Sequence, residues 1–190
     1  MGSRPPGAWT GRRPGPTPGA MLHQPDRPDP RLDHAGERLA AARSLDDIVT
    51  ALSACTRAAV GCDGVAVILR DGGFCHYVAE NAVEPLWKNR RFALDGCVSG
   101  WAMLNGATAV IPDVALDPRV PVAPYRRTSI RSLVMAPIGE PEPVAALGAY
   151  WCAFVFLDAV TVGRVERLAR LAGDALARIR VRDAAVAAAE

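Results

Sequence analysis

Gly64-Val65-Ala66-Val67-Ile68-Leu69-Arg70, then Asp71-Gly72-Gly73, then Phe74-Cys75-His76-Tyr77-Val78-Ala79-Glu80: two runs rich in β-branched and aromatic residues flank three residues that turn tightly. Small and turn-prone residues tolerate the positive φ of a short hairpin, so this stretch reads as two antiparallel strands. Side chains alternate across a strand, which places Cys75 and His76 on opposite faces. A sheet with two usable faces is the starting point for everything else in the chain.

Working towards the N-terminus, Leu45, Ile48, Val49, Leu52, Cys55 and Ala59 recur at three and four residues, one apolar face of a packed helix. Ser44 and Asp47 make its capping box, and Gly61 ends it. Helical signals begin at about Asp33. The first thirty residues hold eight prolines and five glycines. They offer almost nothing to bury, so residues 1–30 are expected to be a disordered leader ahead of a single domain over residues 31–185, with 186–190 a frayed tail. Met21 stands where the apolar content begins to rise, which makes it a candidate start.

Working towards the C-terminus, a strand is expected at Arg91 to Leu94 and a short helix at Val98 to Asn105 closed by Gly106. A strand at Ala109 to Ile111 follows. Pro112 to Thr128 carries four prolines and no apolar period, a long irregular excursion of the kind that often holds function. Strands at Ser132 to Ile138 and Ala145 to Cys152 bracket a turn at Glu140 to Pro143. In the last helix, Ala159 to Ala185, the residues Val162, Val165, Ala169, Ala172, Leu176 and Ile179 alternate steps of three and four. Leu168, Leu171 and Ala175 form a second stripe beside them. With one stripe on the sheet, the first seam is the expected homodimer interface.

Composition narrows the function. The net charge is +2, and residues 1–30 alone carry four arginines against two aspartates, so the remainder sums to zero. A nucleic-acid binder needs a basic field that this body lacks. Ala145 to Leu157 is thirteen residues without a charge, short of the ~20 that span a bilayer, so no membrane partner is expected. Five cysteines with no C-x-x-C spacing indicate neither a zinc site nor a disulfide framework, and a reducing cytoplasm fits best. No metal site is expected.

The order of elements describes an α+β sandwich around one antiparallel sheet. The runs Cys97-Val98-Ser99-Gly100-Trp101-Ala102, Ala109-Val110-Ile111-Pro112-Asp113, Asp117-Pro118-Arg119-Val120-Pro121, Ser132-Leu133-Val134-Met135-Ala136-Pro137-Ile138 and Gly148-Ala149-Tyr150-Trp151 resemble the successive motifs of a GAF domain over Ser44 to Arg180. The string from Cys75-His76-Tyr77 through Pro85-Leu86-Trp87-Lys88 is similar to bacterial GAF modules that stand before sensor histidine kinases. The resemblance implies a GAF/PAS-like sandwich. It has a six-stranded antiparallel sheet, the N- and C-terminal helices on one face and a short helix plus long loop on the other. It also implies a non-catalytic sensory module that binds a small molecule or senses redox state. Its output would run through helix-mediated pairing with itself or with a histidine kinase or transcription regulator. Neither ligand nor cofactor is named by it. Phe154-Val155-Phe156-Leu157 departs from the polar turn of those relatives and forms an apolar patch unless buried.

Two other classes stay open, a ligand-free dimerisation module and a thiol enzyme of the free methionine-R-sulfoxide reductase type. The resemblance to those reductases implies a cysteine in a Gly-Val-Cys-Gly turn, where this chain has Ser99 before Gly100, Cys97 two places early and no cysteine in the long loop. Cys97 therefore lacks a resolving partner in that pattern, although a helix start favours its thiolate. Bilin attachment at Cys75-His76 is disfavoured by the alternation of the strand, and haem ligation by His76 because a lone histidine on a half-buried strand is ordinarily a hydrogen-bonded structural residue. The candidate ligand-binding residues are Trp87, Cys97, Trp101, Asp113, Asp117, Arg119, Tyr125, Arg126 and Arg127. Guanidinium forks clamp carboxylate or phosphate, Asp113 and Asp117 are equally turn openers, and Trp101 is equally core. The pocket is expected between the sheet and the Pro112 to Thr128 loop.

Overall fold

The computed structural model describes residues 29–189, so nearly all of the expected leader, and Glu190, lie outside the described residues. Its last two positions belong to the domain. The Asp29 carboxylate accepts from the Arg31 amide at 3.1 Å, and Pro30, which has no amide hydrogen to satisfy, opens α1 (Pro30–Ala41). Helix α2 (Leu45–Val60) starts at the expected reciprocal box: the Asp47 amide donates to Ser44 Oγ, and the Asp47 carboxylate accepts from the Ser44 and Arg43 amides. Those bonds hold the Asp47 carboxyl below its ordinary range. Gly61 ends the helix at φ 75°.

The hairpin pairs β1 (Gly64–Asp71) with β2 (Phe74–Ala82), with a bulge between Val67 and Ile68. Next come β3 (Arg91–Ala93), a 3-10 turn at Leu94–Gly96, α3 (Val98–Asn105), β4 (Ala109–Ile111), α4 (Val122–Tyr125), β5 (Ser132–Ile138), β6 (Ala145–Trp151) and α5 (Ala159–Ala187). The strands form one antiparallel sheet in the order β3-β2-β1-β6-β5-β4. This is the six-stranded sandwich that the resemblance implies. Several details differ from expectation: Leu94 leaves the sheet to begin the 3-10 turn, the long loop contains the four-residue α4, β2 continues to Ala82, β6 stops at Trp151, and α5 continues to Ala187, inside the expected frayed tail. A single helical turn is too short to show a period.

Period-two alternation in the central strands sends side chains to two cores. Val65 and Val67 of β1, Val134 and Ala136 of β5, and Leu147 and Ala149 of β6 meet α1, α2 and α5. Ala66, Ile68, Leu133, Met135, Ala146 and Tyr150 meet α3 and the loops on the opposite face. Strand β6 is buried along its whole length because both faces are covered.

The seam on α5 requires a correction. Val165, Ala169, Ala172 and Ile179 are buried within the protomer, and Val162 and Leu176 pack at the edge of the same core. Leu168 and Ala175 of the second stripe are buried too. Both stripes cover α1, α2 and the sheet, because three layers meet along this helix, so the seam is not a free dimer face. The patch after β6 is divided by its extended backbone: Val155 and Leu157 pack on the core, while Phe156 stays 92% exposed and Phe154 67%. Among the described residues no helix is long and apolar enough to cross a membrane.

Candidate functional site

The face of the sheet away from the long helices carries an aromatic nest. Tyr77 of β2 and Tyr150 of β6 project from it. Gly148 makes room for the second, since a Cβ there would lie 2.5 Å from the Tyr150 hydroxyl oxygen. Trp87 arrives on the connection between β2 and β3. The Glu80 carboxylate accepts from the Leu86, Trp87 and Lys88 amides at 3.2, 2.9 and 2.9 Å, and Asn89 turns the chain at φ 66°. The Trp87 ring lies 5.6 Å from Tyr77, 6.3 Å from Phe92, 5.7 Å from Tyr150 and 4.8 Å from Tyr125, centroid to centroid. Edge-to-face pairs of this kind each add about 0.5–1.5 kcal/mol beyond the area that they bury.

Polar atoms line the floor of the nest. Ser99 Oγ lies 3.2 Å from the Tyr77 hydroxyl and 3.3 Å from Cys97 Sγ. The Tyr150 hydroxyl is fully buried and faces that of Tyr77 without a hydrogen bond of good geometry. Burial makes the Tyr77, Tyr125 and Tyr150 hydroxyls harder to ionise than a free phenol, so all three are neutral at physiological pH.

Beside Ser99 lies the Cys97 thiol, lowered to about 6 by the Cys75 thiol first, against the opposing effect of burial, and also by Ser99 and the amides of Ser99 and Gly100. Cys75, from β2, is buried in the same core and held far above its ordinary range. No spacing along the chain signals its place there.

The other expected site residues divide into two groups. The Arg119 guanidinium clamps Asp117 at 2.6 and 2.9 Å and stacks 4.6 Å from the Trp101 ring centroid. The Asp117 carboxylate also accepts from the Arg119 amide, and the Asp113 carboxylate from the Ala115 amide. Asp117, Arg119 and Trp101 hold one another, Asp113 caps the loop, and Trp101 packs on the edge of the core that contains the nest. Arg126 and Arg127 are exposed on the far side of α4. With Arg90, Pro85 and Trp87 they wall an open groove of about 650 Å³ against the nest. Trp87, Phe92 and Pro124 line both this groove and the nest, and Tyr125 packs on Trp87 on the nest side.

The expected cavity under the loop is filled. The space among Tyr77, Trp87, Phe92, Cys97 and Tyr125 measures about 10 Å³, whereas small-molecule pockets hold roughly 300–1,000 Å³. Trp87 and Tyr125, expected as ligand contacts, occupy that space themselves. A separate depression of about 430 Å³ lies between α5 and the β5–β6 turn, with Glu140, Arg170, Asp174 and Arg180 on its walls. Its charges are of both signs and it has no aromatic wall.

Sequence reasoning missed Arg90, Phe92, Ser99, Tyr77 and Tyr150 as one assembly. The available signal was the step of two that puts Cys75 and Tyr77 on one face of β2. The separation of Cys75 and His76 is as alternation requires: the thiol is buried, and His76 is half-buried on the other side. Among the described residues no group of three or more His, Cys, Asp or Glu could hold a metal ion, and all five cysteines are free.

No family model matches the sequence, and no curated protein matches it. Solved structures do match the fold. The free methionine-R-sulfoxide reductase from Neisseria meningitidis, in complex with its substrate, superposes with a TM-score of 0.69 at 18% identity over 83% of this chain and 96% of that one. The GAF domain of a phosphoenolpyruvate-protein phosphotransferase from Acinetobacter gives 0.69 at 12% identity, over 80% and 93%. A phycoerythrobilin-bound GAF domain from a cyanobacterial phytochrome gives 0.68 at 19% identity, over 80% and 98%.

Proposed function

The chain has the GAF fold, and we propose that it is a sensory domain for a small anionic molecule with a flat apolar body. The observation that carries this reading is an aromatic nest, with the poorly paired Tyr150 hydroxyl in its floor, that shares Trp87, Phe92 and Pro124 with a groove edged by Arg90, Arg126 and Arg127. The flat part of the ligand replaces the Tyr125 ring against Trp87. A polar atom of the ligand pairs with Tyr150, and its carboxylate or phosphate meets the guanidinium groups at the rim.

Entry requires α4 to lift. Exposing the Tyr125 ring costs about 2 kcal/mol, which leaves the open form at about 3% of molecules and weakens apparent affinity about thirty-fold. A ligand bound only by the open form shifts the population by that same differential affinity. The structural relatives include a substrate-bound reductase and a bilin-bound domain, each with its own ligand on a related sheet.

Output passes to a partner, a second copy, a histidine kinase or a transcription regulator. Since the α5 seam is internal, pairing uses the exposed end of that helix around Val181 and Val186 or the Phe154 and Phe156 side chains. The cytoplasm suits five unpaired cysteines. Native mass spectrometry of the protein purified from its own host tests the ligand reading. A retained mass that is lost in the Arg126→Ala, Arg127→Ala double variant is expected; an unliganded protein with no thermal shift from any carboxylate or phosphate probe contradicts it.

A further inference from the structure

The segment that follows α4 carries a serine that ligand binding does not use. Ser129 is exposed, and Glu84, on the connection between β2 and β3, holds it twice: the Ser129 amide donates to Glu84 Oε1 at 2.7 Å and the Ser129 hydroxyl to Glu84 Oε2 at 3.1 Å. Bonds to an ionised carboxylate are the stronger kind. Among the described residues these two are the only hydrogen bonds between residues 122–131 and residues 83–92, the segments that wall the groove.

The residues ahead of Ser129 supply a second observation. Arg126 and Arg127 stand three and two places before it, both exposed, and neither forms an ion pair among the described residues. Of all the serines and threonines in the chain, Ser129 alone has arginine at both of those places. Protein kinases choose their substrates by charge pattern, and one that reads paired guanidinium groups ahead of the acceptor hydroxyl selects this serine over every other hydroxyl of the chain. The accessible stretch ends at that hydroxyl, since Ile130 is buried.

We propose that Ser129 is a phosphorylation site for an arginine-directed protein kinase, and that the phosphate releases the Glu84 clasp. The Ser129 hydroxyl oxygen attacks the terminal phosphorus of a nucleoside triphosphate. An O–P bond forms, the bond from that phosphorus to the bridging oxygen breaks, the nucleoside diphosphate leaves, and the hydroxyl proton passes to a carboxylate base of the kinase. The product places nearly two negative charges beside the Glu84 carboxylate and has lost the hydrogen that was donated to it. Like charges then face each other across the clasp, while Arg126 and Arg127, two and three residues away, attract the phosphate. The walls of the groove part, and its guanidinium groups are taken up from within the chain.

The test uses the full chain, incubated with magnesium ATP and the catalytic subunit of cyclic-AMP-dependent protein kinase as the arginine-directed probe, then mapped by mass spectrometry. The expected product is heavier by about 80 Da at one residue, Ser129. Amide hydrogen exchange of that product should show protection at Ser129 reduced roughly ten-fold or more, with β5 and β6 unchanged. Unphosphorylated Glu84→Ala should match it at that amide, and phosphate added to this variant should reduce protection no further. No incorporation, incorporation at Thr128 or elsewhere in place of Ser129, or a phosphorylated chain whose Ser129 amide is as protected as before overturns the proposal. Mapping and exchange on the unsubstituted protein decide the matter even where Glu84→Ala fails to fold. Only the effect on the groove rests on the ligand reading: binding of inorganic phosphate should weaken on phosphorylation, whereas a groove that binds no anion beforehand counts against the ligand reading and leaves the map and the exchange result standing.

Discussion

A Cβ at position 100 would lie 1.6 Å from the Leu94 carbonyl oxygen, so only glycine lets α3 start against the 3-10 turn. Gly100→Ala is therefore expected to cost about 3 kcal/mol or more, read as a lower urea midpoint, with Gly106→Ala failing by strain at φ 57° rather than by collision. Asp117 offers a milder case. Its bonds to Arg119 hold its carboxyl below the ordinary range, so it contributes stability above its unfolded pKa and loses that contribution as pH falls through the lower folded value. Asp117→Asn should cost about 1 kcal/mol at neutral pH, the pair being partly exposed. Thermal melts should show that difference shrink as pH falls below the ordinary carboxylate range and the folded-state Asp117 protonates. These residues show what was legible in advance. The turn-opening role of Asp113 and Asp117 follows from local chemistry two residues long. The nest does not, because Tyr77, Trp87, Tyr125 and Tyr150 meet only when four separate segments have folded.

Among the elements, α5 separates pattern from placement. Alternating steps of three and four describe a helix with an apolar face, but the same steps serve a coiled coil and a helix laid on a sheet. The second stripe of Leu168 and Ala175 widens the face until it needs α1, α2 and the sheet together. Leu168→Ala is expected to destabilise the fold by about 2–5 kcal/mol without changing the molecular mass measured by light scattering. A drop in mass with unchanged stability would return the seam to an interface role. The hairpin, α2, α3 and β4 to β6 were all readable, because capping residues, glycine stops and alternation are local signals. Helix α4, with Pro121 at its N-cap, Pro124 inside it and one turn of length, carries no such signal. It is nonetheless the element on which the ligand reading depends.

For the whole molecule, the sheet separates a large core under the long helices from a smaller aromatic core under α3 and the loop. The two should differ in how readily they open. Strands β5 and β6 are covered on both faces and should exchange their amide hydrogens only through global unfolding, whereas α4 is held by Tyr125 and a few backbone bonds. Ligand entry and output are compatible with a stable fold on that condition alone: the lid opens at a cost far below that of unfolding. The amides of Arg126 and Thr128, which donate to Val122 and Tyr125 within the lid, report on it directly. Amide hydrogen exchange at these two positions should show protection of only about thirty-fold, the equivalent of 2 kcal/mol, against a factor of about 10⁴ or more in β5 and β6. Protection at Arg126 and Thr128 equal to that of the central strands would mean that the nest is sealed, and that no ligand enters beneath this loop.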